Sequence, residues 1–374
     1  LFGKLAHAQV APPGFLVLVR AVARVLGPKD WVLRLVPFVA GCVALPVTWA
    51  IAKRIAGPTA ALVALAIVAA CPEAIYFAGE VKPYSVDLLA TAALLLVAAR
   101  HREVPDDPAR ARAILAAGVI APWFSLTSAF VLAAIGLALA LETLVRGEWA
   151  RARPLARLAI GWIGSFALLW AISLSRSSGN AWLQEFWQAK GCFPPPRAAA
   201  APGWILSAMV RIMSNPVGLP YPGYALAVAA AGLGLLLGGT RRFWGVSFAF
   251  LLVIAFAAAT LRFMPLCERL AVYLVPVAAL SIATVVGAIV AGAWASTTAG
   301  RWLVRVAATA FLVAAANLYP WQRILHPAAI EHLRPVLEVL AREWRPGDDV
   351  VVHFRAWPAF QLYSRTLHLP EFGA

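Results

Sequence analysis

Long apolar runs separated by short charged connections set the pattern of this chain. Runs at 31–52, 58–77, 84–99, 113–123, 127–145, 155–174, 221–239, 243–260, 270–292 and 302–318 each predict a membrane-crossing helix. The runs are continuous rather than alternating. That selects helices over a barrel, the other structure that satisfies its backbone in lipid. The run at 113–123 falls short of the ~20 residues a span needs. Charge parity keeps it. With it in place, five connections share one side, carrying Lys53 and Arg54; Arg100, Arg102, Arg110 and Arg112; Arg146, Arg151, Arg153 and Arg157; Arg241 and Arg242; and Arg301 and Arg305. The positive-inside rule makes that side cytoplasmic and predicts a tight outer hairpin at Phe124, Ser125 and Leu126.

Three outer segments have patterns of their own. In residues 1–30, Pro12 and Pro13 open a stretch with apolar Phe15, Leu16, Val19, Val22, Val25 and Leu26 against Arg20 and Arg24. This predicts a short amphipathic helix in the membrane interface. The connection 175–220, inside the transmembrane region 31–319, holds Trp182, Trp187, Trp204 and a proline triplet at 194–196. A connection this long is functional or disordered, and its tryptophans suit a loop on the membrane surface. From 320 to 374, Ile330, Leu333, Val336, Leu337, Leu340 and Trp344 recur at helical spacing. Pro346 and Gly347 turn the chain, Val350, Val351 and Val352 predict a strand, and 356–366 predicts another helix. This reads as the start of a small extracytoplasmic α/β domain, too little to enclose a core by itself.

Composition agrees with this class. Charged residues make up 13% of the 374, about half the ~25% usual in soluble domains. The formal charge of +15 is assigned to topogenic loops and to anionic lipid or a phosphorylated lipid, not to nucleic acid. Cys42, Cys71, Cys192 and Cys267 form no CxxC pair, so no zinc site is implied. Cys192 and Cys267 both fall on the outer side. Two readings stand there, a disulfide and two unrelated thiols, and the second is the simpler. The six histidines are scattered without metal-ligand spacing. No phosphate-binding glycine loop and no G-x-S-x-G elbow occurs, which removes support for ATP-driven transport and serine hydrolysis.

The chemistry-bearing cluster is Glu80, Val81, Lys82, Pro83 and Tyr84, with Asp87 a turn further on. Ionised residues at the mouth of a span are costly to desolvate, so they mark function by default. A carboxylate there can serve as a base while a cation holds a phosphate. The structural alternative is an ion pair at a helix end for Glu80 and Lys82, and helix-terminus complementation for Asp87. A second charged loop carries Arg262, Glu268 and Arg269. Its arginines suit forked phosphate contacts, or act as interfacial anchors.

Several pieces together resemble the GT-C class of membrane glycosyltransferases, in the bacterial branch similar to protein mannosyltransferases and the lipid A aminoarabinose transferase (family 39-type). Gln9-Val10-Ala11-Pro12-Pro13-Gly14-Phe15-Leu16 resembles that family's proline motif. Leu33-Arg34-Leu35-Val36-Pro37 precedes a span and a basic turn, as it does there. Ile75-Tyr76-Phe77-Ala78-Gly79-Glu80-Val81-Lys82-Pro83-Tyr84 resembles its aromatic outer loop ending in Glu-x-(Arg/Lys)-x-Tyr. Glu268-Arg269 with Tyr273 and Pro276 is similar to its Arg-Tyr-Leu…Pro pattern. Pro346-Gly347-Asp348-Asp349-Val350-Val351 is similar to the start of its outer domain. The resemblance implies inverting transfer of a sugar from a polyprenyl-phosphate donor to a lipid, glycan or protein acceptor, on the outer face of a bacterial inner membrane. No cofactor is implied; a divalent cation stays open.

Carried over, Glu80 and Asp87 are supporting carboxylates. Lys82, Tyr84, Arg269, Arg262 and Gln9 line the donor site, with Lys82 or Arg269 on the phosphate. The family's Asp-Glu motif after its first span has no counterpart in residues 1–8, which hold no acid. That span and the principal base are therefore expected upstream of Leu1; the other reading of the gap is an inactive chain. Two other classes compete: a transporter or flippase, and a non-catalytic membrane partner. Glu142 is the one carboxylate well inside an apolar run, and it lies near a cytoplasmic end. That argues against an ion-coupled path.

Overall fold

In a computed structural model of the chain, the described residues are 10–176, 181–195, 201–292, 302, 333–345, 348–353 and 356–366. Gln9, the predicted span at 302–318 beyond Trp302, and the turn at Pro346 and Gly347 lie outside them. The chain divides into two units, Leu1–Pro320 and Trp321–Ala374.

The first unit is a bundle of helices. After α1 (Pro13–Leu26) come α2 (Asp30–Ala56), α3 (Pro58–Ala69), α4 (Pro72–Ala78), α5 (Tyr84–Glu103), α6 (Pro108–Phe124), α7 (Ser128–Arg146) and α8 (Ala152–Ile172). The outer segment forms α9 (Ala181–Ala189) and α10 (Ala201–Ser214). Then follow α11 (Pro222–Leu237), α12 (Arg242–Thr260), a 3₁₀ segment Glu268–Leu274 and α13 (Val275–Ala291). Proline sits in the first turn of α1, α3, α4, α6 and α11, where its missing N–H is no loss. Asp30 begins α2 while Lys53 and Arg54 end it, charges that complement the helix dipole.

Helices coincide with nine of the ten predicted runs; the tenth lies outside the described residues. Six are long and apolar enough to cross a membrane. The run at 58–77 is instead a bent pair, α3 and α4, turned by 59°. Pro72 at the start of α4 supplies the cause, since it cannot donate back into α3. α6 has 17 residues and α11 has 16, both short of a full span by the ~1.5 Å rise per residue.

α2 packs against α3 and α5, α13 against α3 and α11, α12 against α7, and α6 against α8. Small residues permit the close crossings, because lipid offers no hydrophobic drive and packing must supply the attraction. A β-carbon on Gly232 of α11 would collide with the Ser281 carbonyl of α13, and one on Gly245 would lie 2.6 Å from the Leu237 nitrogen. Gly234, two residues on from Gly232, has nothing nearby. Gly232→Val is therefore expected to destabilise the bundle by at least about 1–3 kcal/mol through overpacking. Gly234→Val is the matched control, and thermal unfolding in detergent should show a lower midpoint for the first variant only.

The basic connections meet at one end, as their charge pattern predicts. Arg54 and Arg110 each reach Glu103 at 3.2 Å. Arg102 and Arg146 bind Glu142 at 2.7 and 3.0 Å, and Arg102 lies 4.0 Å from the Phe243 ring centre. These contacts join four of the five predicted cytoplasmic connections; the fifth lies outside the described residues. They also account for Glu142 as a structural partner of arginines.

The outer segment departs from the surface-loop expectation. Trp187 and Trp204 are buried, and Trp182 alone of the three is exposed. Cys192 and Cys267 form a disulfide, which overturns the simpler reading of two unrelated thiols. The Leu266 N–H donates to the Cys192 carbonyl at 2.9 Å. Trp204 Nε1 and Arg211 both donate to the Gly191 carbonyl at 3.0 Å. The Cys71 thiol donates to the Pro216 carbonyl at 3.0 Å, which fastens the segment to the α3–α4 bend. α1 is amphipathic as expected, but it buries Phe15 and Val19 in a cluster with Ala40 and Val86, against Phe124. It therefore docks on the bundle through that face.

In the second unit, α14 (Leu333–Glu343) and α15 (Trp357–Thr366) pack together, with Leu337 and Phe360 buried. The predicted strand does not form: among the described residues Val350–Val352 pairs with no other strand. A strand needs a ladder partner for its backbone groups.

Candidate functional site

At the end opposite the basic connections, the α4–α5 turn, the α6–α7 hairpin and the 3₁₀ segment converge. The turn carries Glu80, which is half-buried, and Lys82, which is exposed. The Lys82 N–H donates to the Glu80 carbonyl at 2.7 Å, which tightens the turn before Pro83. Tyr84 opens α5, its ring set edgewise on Phe77 at 4.6 Å. It lies near the Arg269 guanidinium and also feels the charges of Asp87 and Glu73.

Asp87 lies one turn deeper and is 7% exposed. Its carboxylate faces the hydroxyls of Ser125 and Thr127 on the α6–α7 hairpin. Those hydroxyls are 3.2 Å apart, and Ser128 Oγ donates to the Ser125 carbonyl at 2.6 Å. The hairpin thus sets two hydroxyl side chains where a buried carboxylate needs partners, and the Ser128 hydroxyl braces the hairpin backbone. Tyr273 completes the floor. Its ring is buried against Phe130 at 6.0 Å, its hydroxyl has no hydrogen-bond partner among the described residues, and it lies in the field of Asp87.

The loop before the 3₁₀ segment and the first residue of that segment hold unusual backbone conformations. Arg262 and Glu268 have φ of 59° and 47°, a region costly for residues other than glycine. Glu268 binds Lys190 at 3.1 Å. The Arg269 guanidinium sits 5.2 Å from the Trp187 ring centre, a cation–π distance.

The structure therefore brings Tyr84, Asp87 and Arg269 together and leaves Glu80 and Lys82 on the turn that leads into them. It does not bring Arg262 there. Arg262 points over Phe193 at 5.9 Å and, with Gln184, Glu185 and Gln188, lines a cleft of about 410 Å³ on α9. Its position after Thr260, on the exposed side of the strained loop, turns it away. Sequence reasoning missed Ser125, Thr127, Trp187 and Lys190 as neighbours of the site. A run of hydroxyls in an otherwise apolar hairpin was the available signal for the first two. Nothing local in the sequence marks Trp187 as a partner of Arg269. Among the described residues no group of three His, Cys, Asp or Glu side chains could hold a metal.

Comparison with known proteins bears on this geometry. Residues 10–173 match the family model described as dolichyl-phosphate-mannose-protein mannosyltransferase. The match covers less than half of the 374 residues. It includes the α4–α5 turn, Tyr84, Asp87 and the hydroxyl hairpin, and stops short of Arg269. No curated protein matches the chain. Among solved structures, the chain is similar to ArnT from Cupriavidus metallidurans bound to undecaprenyl phosphate, at 16% identity and a TM-score of 0.49, covering 95% of this chain and 59% of that one. The apo state of the same protein gives the same identity and TM-score, with 58% of it covered. The chain thus spans about three-fifths of those structures.

Proposed function

We propose that this chain forms much of the membrane domain of an enzyme that transfers a sugar from a polyprenyl phosphate to an acceptor hydroxyl or amine on the outer face of the membrane. The observation that carries the reading is Arg269, set 5.2 Å from the Trp187 ring centre and near Tyr84, at the end of the bundle away from the basic connections. A lipid-linked phosphate lies at the mouth of such spans, and a guanidinium there would match it with two parallel donors. Lys82 on the adjoining turn adds a second cation. The disulfide supports the side, because such bonds persist in oxidising compartments outside the cytoplasm.

In the reaction, the acceptor atom attacks the anomeric carbon and forms the new glycosidic bond. The bond from that carbon to the phosphate oxygen breaks, and configuration inverts. Arg269 and Lys82 stabilise the charge that gathers on the departing phosphate. A carboxylate takes the acceptor proton; Glu80 supports that step from the turn. Asp87, enclosed by hydroxyls, orients the floor beneath Tyr84.

The test uses the full-length protein in lipid nanodiscs with a polyprenyl-phosphate-linked sugar. Lys82→Ala is expected to raise the donor KM, and Glu80→Gln to lower kcat, each by about 10- to 100-fold, the scale of one charge-assisted contact. Unchanged kinetics in both variants would remove the turn from the site. No turnover with any such donor by a well-folded protein would remove the enzyme reading.

A further inference from the structure

We propose that α9 is a positioning element for Arg269: Trp187, locked to the Arg269 loop through the Cys192–Cys267 disulfide, holds the guanidinium where a lipid phosphate meets it. This rests on the reading of Arg269 as a phosphate contact. An arginine side chain has several rotatable bonds, and a free one must be ordered each time it engages a ligand. Here two elements distant in sequence order it in advance. The Trp187 ring lies 5.2 Å from the guanidinium, and Tyr84 of α5 lies near it.

Trp187 is itself fixed. It is buried, and the Cys192 N–H donates to its carbonyl at 3.0 Å. Cys192 is bonded to Cys267, two residues before Arg269. Lys190 binds Glu268 at 3.1 Å and lies 5.5 Å from the Trp187 ring centre. The disulfide and the Lys190–Glu268 ion pair join the 187–192 stretch to the 266–269 stretch, and the other two links fix Trp187 within its own stretch. Together they make one clamp whose output is the position of Arg269. Preorganised donors act on a developing charge without reorganising during the reaction.

The experiment measures donor and acceptor kinetics for full-length Trp187→Ala, Trp187→Phe, Arg269→Ala and Trp187→Ala/Arg269→Ala in nanodiscs. It also measures the unmodified protein before and after a membrane-impermeant phosphine reductant. Trp187→Ala should raise the donor KM or lower kcat by about 10- to 30-fold, the scale of a desolvated cation–π contact, and leave the acceptor KM unchanged. Trp187→Phe should recover most of that loss. The double variant should be no worse than Arg269→Ala alone, because the tryptophan acts through the arginine. Reduction should lower donor efficiency in the folded protein and leave a Cys192→Ser/Cys267→Ser variant unaffected. If Arg269→Ala is impaired but Trp187→Ala is silent, or the two losses multiply, the clamp is wrong while the function stands. If Arg269→Ala is itself silent, the phosphate reading fails first.

Discussion

Arg269→Ala is expected to lower sugar transfer by about 100- to 1,000-fold, the usual cost of removing one preorganised donor from a developing negative charge. The loss should appear in kcat/KM for the donor, with the acceptor KM little changed. Arg269→Lys should recover only part of it. A lysine keeps the charge but loses the planar fork and much of the stacking on Trp187. The chain that fixes Arg269 begins with Cys267 in its disulfide and the strained Glu268. It ends beside Tyr84. Steady-state rates at saturating acceptor, with unfolding midpoints to confirm a folded protein, separate this effect from general damage.

Asp87→Ala is expected to cost stability as well as activity. The carboxylate is 7% exposed and faces Ser125 and Thr127. Its removal leaves buried hydroxyls short of a partner, at about 1–3 kcal/mol for each one unsatisfied. The two hydroxyls lie 3.2 Å apart and can partly satisfy each other, so the total should fall toward the lower end. Asp87→Asn keeps the shape and one acceptor oxygen and should unfold close to the unmodified protein. If Asp87→Asn also keeps most of its activity, Asp87 positions the floor. A folded Asp87→Asn protein with no turnover would instead give the carboxylate a direct chemical part.

Much of this architecture was legible because lipid leaves the backbone few choices. Continuous apolar runs must be helices, and arginine-rich connections must lie together; the Glu103 and Glu142 networks show them doing so. The bend between α3 and α4 was less visible. Pro72 alone does not separate a kink from a new helix; the angle depends on how Cys71 and the loop at Pro216 lock together. The outer segment was misread because tryptophan suits both a membrane surface and a core, and only packing decides which. Val350–Val352 has strand propensity but no partner among the described residues, and sequence pattern carries no such information. At the site, Tyr84, Asp87 and Arg269 stood out as charged or polar groups at the mouths of spans. Arg262 stood out equally and points elsewhere, because a left-handed residue in a loop redirects a side chain in a way no spacing rule records.

Binding of undecaprenyl phosphate to the full-length protein tests the central claim most directly. The claim is that a phosphate-holding site lies at the Arg269 end of the bundle. Native mass spectrometry of detergent-purified protein, titrated with the lipid, reads occupancy without requiring a sugar or an acceptor. The account predicts saturable binding of one lipid, weakened at least about 10-fold by Arg269→Ala, the scale of a lost charge-assisted contact, and left unchanged by Arg241→Ala at the opposite end. Equal binding by the unmodified and Arg269→Ala proteins, or a loss caused by Arg241→Ala instead, would contradict it.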